Sequence, residues 1–123
     1  MLLFCVLIGL LAGSLARSSS LRLAKNKFNQ LHWRRNCLFE PSRNQNFDWV
    51  GKCLSEIEIA FRWGKPAVIS AHRENFIGSI FEENRLQSLE KLELLLTKVF
   101  QKWPNVQFIN SAQLAESGYK LGF

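Results

Sequence analysis

The stretch Pro66-Ala67-Val68-Ile69-Ser70-Ala71-His72-Arg73 decides the fold. Its apolar run, Ala67 to Ala71, has the length and residue types of a buried strand. It ends abruptly at His72 and turns polar through Arg73, Glu74 and Asn75. In α/β proteins with parallel strands, ligands and catalytic groups gather at the carboxyl ends of those strands. His72 stands at such an end.

Working outward, helical patterns flank this strand. From Phe47 to Trp63 the apolar set Phe47, Val50, Leu54, Ile57, Ala60 and Phe61 repeats at helical spacing. Asn46 is the expected cap, Asp48 suits the first turn, and Gly64 is a natural residue just past the end. Pro66 then stops the helix from continuing. After a loop through Gly78, a second helix is expected over Asn84 to Trp103. Its stripe of Leu86, Leu89, Leu92, Leu96, Val99, Phe100 and Trp103 reads as core. Pro104 closes it. Asn36 to Phe39 reads as an earlier strand ending at Glu40-Pro41, and Val106 to Ile109 as a later one. Ser111 is placed to cap a short helix over Ala112 to Glu116.

The resulting order of strand, helix, strand, helix, strand, helix predicts an α/β unit with parallel strands and right-handed crossovers. The fold expected is a partial (β/α) barrel or a small parallel sheet with flanking helices. Either residues 1–33 complete that slab, or the chain belongs to a larger barrel.

At 123 residues the chain suffices for one domain, and its 47% apolar content is that of a globular protein. The formal charge of +6 is local. Six bases fall between Arg17 and Arg35 without one acid, whereas the remaining ten bases offset all ten acids. A basic segment invites phosphate contacts, with Phe28 and Trp33 as interleaved aromatics. No nucleic-acid module accompanies it, so a solvated face is the better reading and nucleic acid is disfavoured. The chain divides into an apolar leader (1–16), a basic segment (17–35) and an α/β unit (36–123).

The leader is almost wholly apolar through Ala12, and Ser14-Leu15-Ala16 fits a signal-peptidase site. Against secretion, no base precedes the run and the positive charges follow it. The run is also shorter than the ~20 residues a span needs. Three readings stand: a cleaved signal, an uncleaved anchor with weak membrane association, or a buried strand or helix of a larger domain. Location follows whichever holds, secreted, periplasmic or tethered in the first two cases and otherwise cytoplasmic. Cys5, Cys37 and Cys53 lack zinc-type spacing and read as buried free thiols, a Cys37–Cys53 disulfide being the alternative in an oxidising compartment.

The strings RRNCLFEPS (34–42), DWVGKCLSEIEIAFRWGKPA (48–67), ISAHRENF (69–76) and ENRLQSLEKLELLLTKVFQKWPNVQFINSAQL (83–114) resemble the carboxy-terminal part of a bacterial polysaccharide deacetylase-like family, within the glycoside hydrolase/deacetylase barrel superfamily. The resemblance covers about residues 34–117. It implies an irregular barrel, a divalent metal held by an Asp and two His in intact relatives, and a late-strand histidine as general acid. His72 matches that histidine by position. The chain holds no Asp-Asp pair and no His-x-x-x-His, so the metal-binding half is missing. The resemblance thus implies a truncated carboxy-terminal part, inactive alone, with polysaccharide or another glycan as partner and no cofactor of its own.

Independently of that resemblance, the expected strand ends bring Glu40, His72 and Asn110-Ser111 toward one solute, since adjacent strands lie ~4.8 Å apart. A carboxylate beside an imidazole suits acid or base work. Arg73, Asn75 and Ser111 are the candidate substrate contacts, Arg being shaped for a bidentate carboxylate. The plainer alternatives are a hydrogen-bonded structural histidine, Glu40 as a turn carboxylate or a partner for Arg35, and Arg73 paired with Glu74 or Glu82. Trp33, Trp49, Trp63 and Trp103 could stack on sugar rings, but core packing is the commoner use. A small carbohydrate-binding or interaction domain is the alternative function.

Overall fold

The strand expected at residues 67–71 runs one residue further in the computed structural model, as β5 (Ala67–His72), and forms the inner parallel partner of β4 (Cys37–Leu38). The structure describes residues 2–8, 24–25, 27–32, 35–78, 81–110 and 112–113. In chain order the remaining elements are β1 (Leu2–Ile8), β2 (Ala24–Lys25), β3 (Leu31–His32), α1 (Trp49–Arg62), α2 (Glu82–Lys102) and β6 (Gln107–Ile109). A 3-10 turn, Arg73–Phe76, follows β5 directly.

The main sheet has the order β4-β5-β1-β6. β1 runs antiparallel to both neighbours, with Leu2 opposite His72, Leu7 opposite Ala67, and Val6 also opposite Ile109. Hence β4, β5 and β6 share one direction, as the strand-helix alternation requires, and the opposed β1 lies between the second and third of them. This overturns the expected architecture. The fold is a small mixed α/β unit with an open sheet, neither a partial (β/α) barrel nor an all-parallel sheet. The reason is that an apolar run such as Leu2–Ile8 pairs equally well in either direction, and only the partners decide. The pair β2–β3 forms a separate two-stranded antiparallel ribbon.

Both helices form for the reasons their sequences suggest, with altered ends. α1 is capped by Asp48, whose carboxylate accepts from the Gly51 N–H at 2.9 Å. Asn46 is instead part of the preceding turn, its N–H donating to Asn44 Oδ1. At the far end the Gly64 N–H donates to Phe61 O and the Lys65 N–H to Ala60 O, the paired bonds of a Schellman cap. Gly64 takes the positive φ of 65° that such a cap demands.

The core lies between α1 and the sheet. Trp49, Val50, Cys53, Ile57, Ala60 and Phe61 of α1 bury against Cys37, Phe39, Ala67, Ile69 and Ala71. α2 adds Leu95 and Val99, with Leu92 and Trp103 half-buried beside them. Trp103 meets the Phe61 ring edge-on, centroids 5.0 Å apart. The expected stripe of α2 is therefore only partly core. Leu86, Leu89 and Phe100 are exposed, Val99 of that stripe is buried, and the other buried residues, Ser88 and Leu95, lie on an adjacent arc of the helix. Cys37 and Cys53 are free and buried, and the side chain of Cys5 lies outside the described residues. Burial pushes the Cys37 thiol up to about 12, aided by the Glu56 carboxylate and opposed by the Lys52 ammonium.

Candidate functional site: a histidine oriented by a buried carboxylate

At the carboxyl ends of β4 and β5 the chain brings Glu40, His72 and Asn75 into one hydrogen-bonded cluster. Parallel pairing sets Leu38 level with Ser70, so Glu40, two residues on, comes level with His72. Pro41 turns the chain immediately afterwards and is itself fully buried. The short turn after β5 then brings Asn75 back over the strand ends.

The Glu40 carboxylate is fully buried, a costly place for a charge unless its oxygens are all met. They are met. Oε1 contacts His72 Nδ1 and accepts the His72 backbone N–H at 3.1 Å, and Oε2 accepts from Asn75 Nδ2 at 2.7 Å. Asn75, also fully buried, donates its other amide hydrogen to His72 O, and its Oδ1 accepts from both the N–H and the hydroxyl of Ser42. Every polar atom of this cluster that faces inward has a partner, and no buried side-chain nitrogen or oxygen among the described residues lacks one.

The consequence falls on the imidazole. With Nδ1 turned to a carboxylate, the ring donates from Nδ1 and its Nε2 is left as the other nitrogen, with no protein partner among the described residues. The His72 side chain is 47% exposed, so that nitrogen is accessible to a solute. A buried carboxylate that fixes tautomer and ring plane, behind an accessible imidazole, is the arrangement of acid–base histidines. Glu40 and Asn75 lie behind the ring, and neither reaches solvent.

The other candidates are placed differently. Arg73 is exposed beside His72 and forms no ion pair with Glu74 or Glu82 among the described residues. Asn110 follows β6, two strands from β5, and the β1 registers set it level with Ile69, three residues short of His72. Its Oδ1 accepts the Gln113 N–H, and Gln113 Oε1 accepts its own N–H. Ser111 lies outside the described residues, as does most of the short helix expected after it. Of the tryptophans, Trp49 is buried, Trp103 packs on the core, and Trp63 is 69% exposed at the end of α1. Residue Trp33 lies outside the described residues.

Sequence reasoning missed Ser42, whose signal was its place in the turn after Pro41, opposite the turn that carries Asn75. It missed Asn36 as well. That side chain stitches β4 to β5 by accepting the Val68 N–H and donating to Pro66 O, the work of an extra ladder rung.

The divalent metal implied by the family resemblance does not fit these residues. Glu40 is committed to His72 and Asn75, and no three His, Cys, Asp or Glu side chains among the described residues are grouped to hold an ion. No step below runs through one.

Compared with protein-family models, curated proteins and solved structures, the chain matches none. The barrel that the resemblance implies is corrected. The unit is not a barrel, and no comparison supports a polysaccharide deacetylase, hydrolase or bacterial identity.

Proposed function

We propose that His72 is the ligand-contacting group of a carbohydrate-binding site, Nε2 hydrogen-bonding a bound glycan while Glu40 and Asn75 hold the ring. What carries this reading is the buried carboxylate on Nδ1 behind an exposed imidazole. Arg73, exposed and adjacent, is the anchor for a carboxylate or hydroxyl of the ligand. The substrate class rests on the likeness of residues 34–117 described above, and the chemistry rests on the cluster. Because the sequence holds no Asp-Asp pair and no His-x-x-x-His, the chain alone is expected to bind without turnover.

The test is titration of acetylated and deacetylated oligosaccharides into the 15N-labelled chain, following the imidazole nitrogens of His72 and assaying free acetate. The expected result is a shift at His72 Nε2, lost in Arg73→Ala, with no acetate released. Indifference of His72 to every glycan overturns the reading. Acetate release that disappears in His72→Ala would show turnover where binding alone is expected.

A further inference from the structure

We infer that the cleft at the amino ends of β4 and β5 is a second ligand site, for a flat ring carrying one carboxylate. Asn36, Glu56, Ile59, Ala60, Trp63 and Lys65 line it, around a volume of about 430 Å³. That lies within the roughly 300–1,000 Å³ of small-molecule sites. Asn36 precedes β4 and Lys65 precedes β5, whereas His72 ends β5, so the two sites lie at opposite ends of that strand. The apolar lining sets the shape of the ligand. Ala60 is buried, while Ile59 and Trp63 are exposed. The Trp63 indole has no ring or cation partner among the described residues, which leaves a face for another flat ring to stack on.

Elimination fixes the polar end of the ligand. Glu56 Oε1 pairs with Lys52 Nζ, and its Oε2 accepts the Leu38 N–H at 2.7 Å. The Asn36 amide is engaged by the Val68 N–H and by Pro66 O. The carbonyls at the end of α1 are taken as well, Ile59 O by the Trp63 N–H, Ala60 O by the Lys65 N–H and Phe61 O by the Gly64 N–H. A cation or a hydroxyl donor therefore meets only acceptors that are already in use. The Lys65 ammonium differs. It is exposed and has no ion pair or hydrogen bond among the described residues. Because Lys52 offsets Glu56, Lys65 is the uncompensated charge of the lining, and it selects an anion. Two kinds of molecule supply this chemistry, an aromatic acid and a uronic acid sugar.

Titration of indole-3-acetate, its uncharged amide and a digalacturonate into the 15N-labelled full chain tests this, following the indole N–H resonances. One of the two acids is expected to shift the Trp63 resonance saturably, and the one that saturates at lower concentration identifies the source. Trp63→Ala is expected to abolish binding. Lys65→Gln should weaken it by about tenfold or more, the loss of a charge-assisted hydrogen bond, and the amide should bind more weakly than its acid by a similar factor. Circular dichroism and melting of both variants should stay close to wild type, since both side chains are exposed. Lys98→Gln, which removes an exposed base from α2, should leave the affinity unchanged. A Trp63 resonance that neither acid moves, or an affinity that Lys65→Gln does not weaken, overturns the proposal.

Discussion

Glu40 illustrates how one buried side chain determines what a neighbour can do. It accepts three hydrogen bonds, two from His72 and one from Asn75, and has no contact with water. Glu40→Ala leaves buried donors unmet, and each costs roughly 1–3 kcal/mol, so loss of several kcal/mol in urea unfolding is expected. Glu40→Gln keeps an acceptor and is expected to cost less. Its amide no longer enforces an Nδ1–H imidazole, and 15N spectra should show His72 moving toward the other tautomer. The pairing of Glu40 with His72 was legible in the sequence because both end strands. Asn75 was visible only as a polar residue near the site, whereas the structure folds it beneath the pair, fully buried. Cys37 gives a second prediction at this scale. Its pKa is raised from the ordinary 9.0 to about 12, mainly by burial. Below pH 9 the thiol is protonated in both folded and unfolded chains and stability is indifferent to it. Between pH 9 and 12 only the unfolded chain ionises, so stability falls as pH rises through that window. The native thiol should resist iodoacetamide at neutral pH until denaturant is added.

Among the elements, α1 shows which end of a helix is legible. Gly64 and Pro66 announce its stop, and the structure builds the Schellman cap there. An alanine at position 64 must hold a left-handed conformation, so Gly64→Ala is expected to cost about 1–2 kcal/mol by thermal or urea unfolding. The start is less legible, because Asn44, Asn46 and Asp48 can all cap and only the following backbone decides. Asp48→Ala should cost about 1 kcal/mol. Gly51→Ala is the instructive contrast. A Cβ there would stand 2.2 Å from Asp48 Oδ2, forcing the cap aside, while alanine itself favours the helix by ~0.5–1 kcal/mol. The two effects nearly cancel, and unfolding should register little change. Between helices, Lys102 of α2 reaches Glu58 of α1, which also pairs with Arg62. The hydrogen bond and charge of Lys102 hold the Glu58 carboxyl below its usual range. That contribution is present at neutral pH and is lost as pH falls through the lowered value. NMR titration should find Glu58 among the last carboxylates to protonate, and Lys102→Ala should raise it toward the ordinary range, Arg62 retaining the remainder.

For the whole molecule, two β/α steps and a third strand were legible from residue 36 onward, each strand from a short apolar run and each helix from a 3.6-residue period, while most of the short helix expected after the third strand lies outside the described residues. What was not legible is the sheet order. Strand direction is not written in a run like Leu2–Ile8, and nothing local marks it as the partner of both β5 and β6. That single insertion separates Asn110 from His72 and turns an expected parallel slab into a mixed sheet. The same limit applies to α2. Its leucines announce a buried helix, but a period cannot say which of two apolar arcs meets the fold, and the burial of Leu95 with exposure of Leu89 is decided by α1.

The central place of β1 has a kinetic corollary. Its two neighbours in the sheet, Ala67–His72 and Gln107–Ile109, are made long after it on the ribosome, so an early apolar strand must wait for distant sequence before its backbone is satisfied. Assembly of this sheet is then a late, long-loop event, and the unpaired strand is the segment most exposed to association with other chains in the interval. Pulsed hydrogen exchange during refolding should find the amides of residues 2–8 and 107–109 gaining protection together, after those of α1.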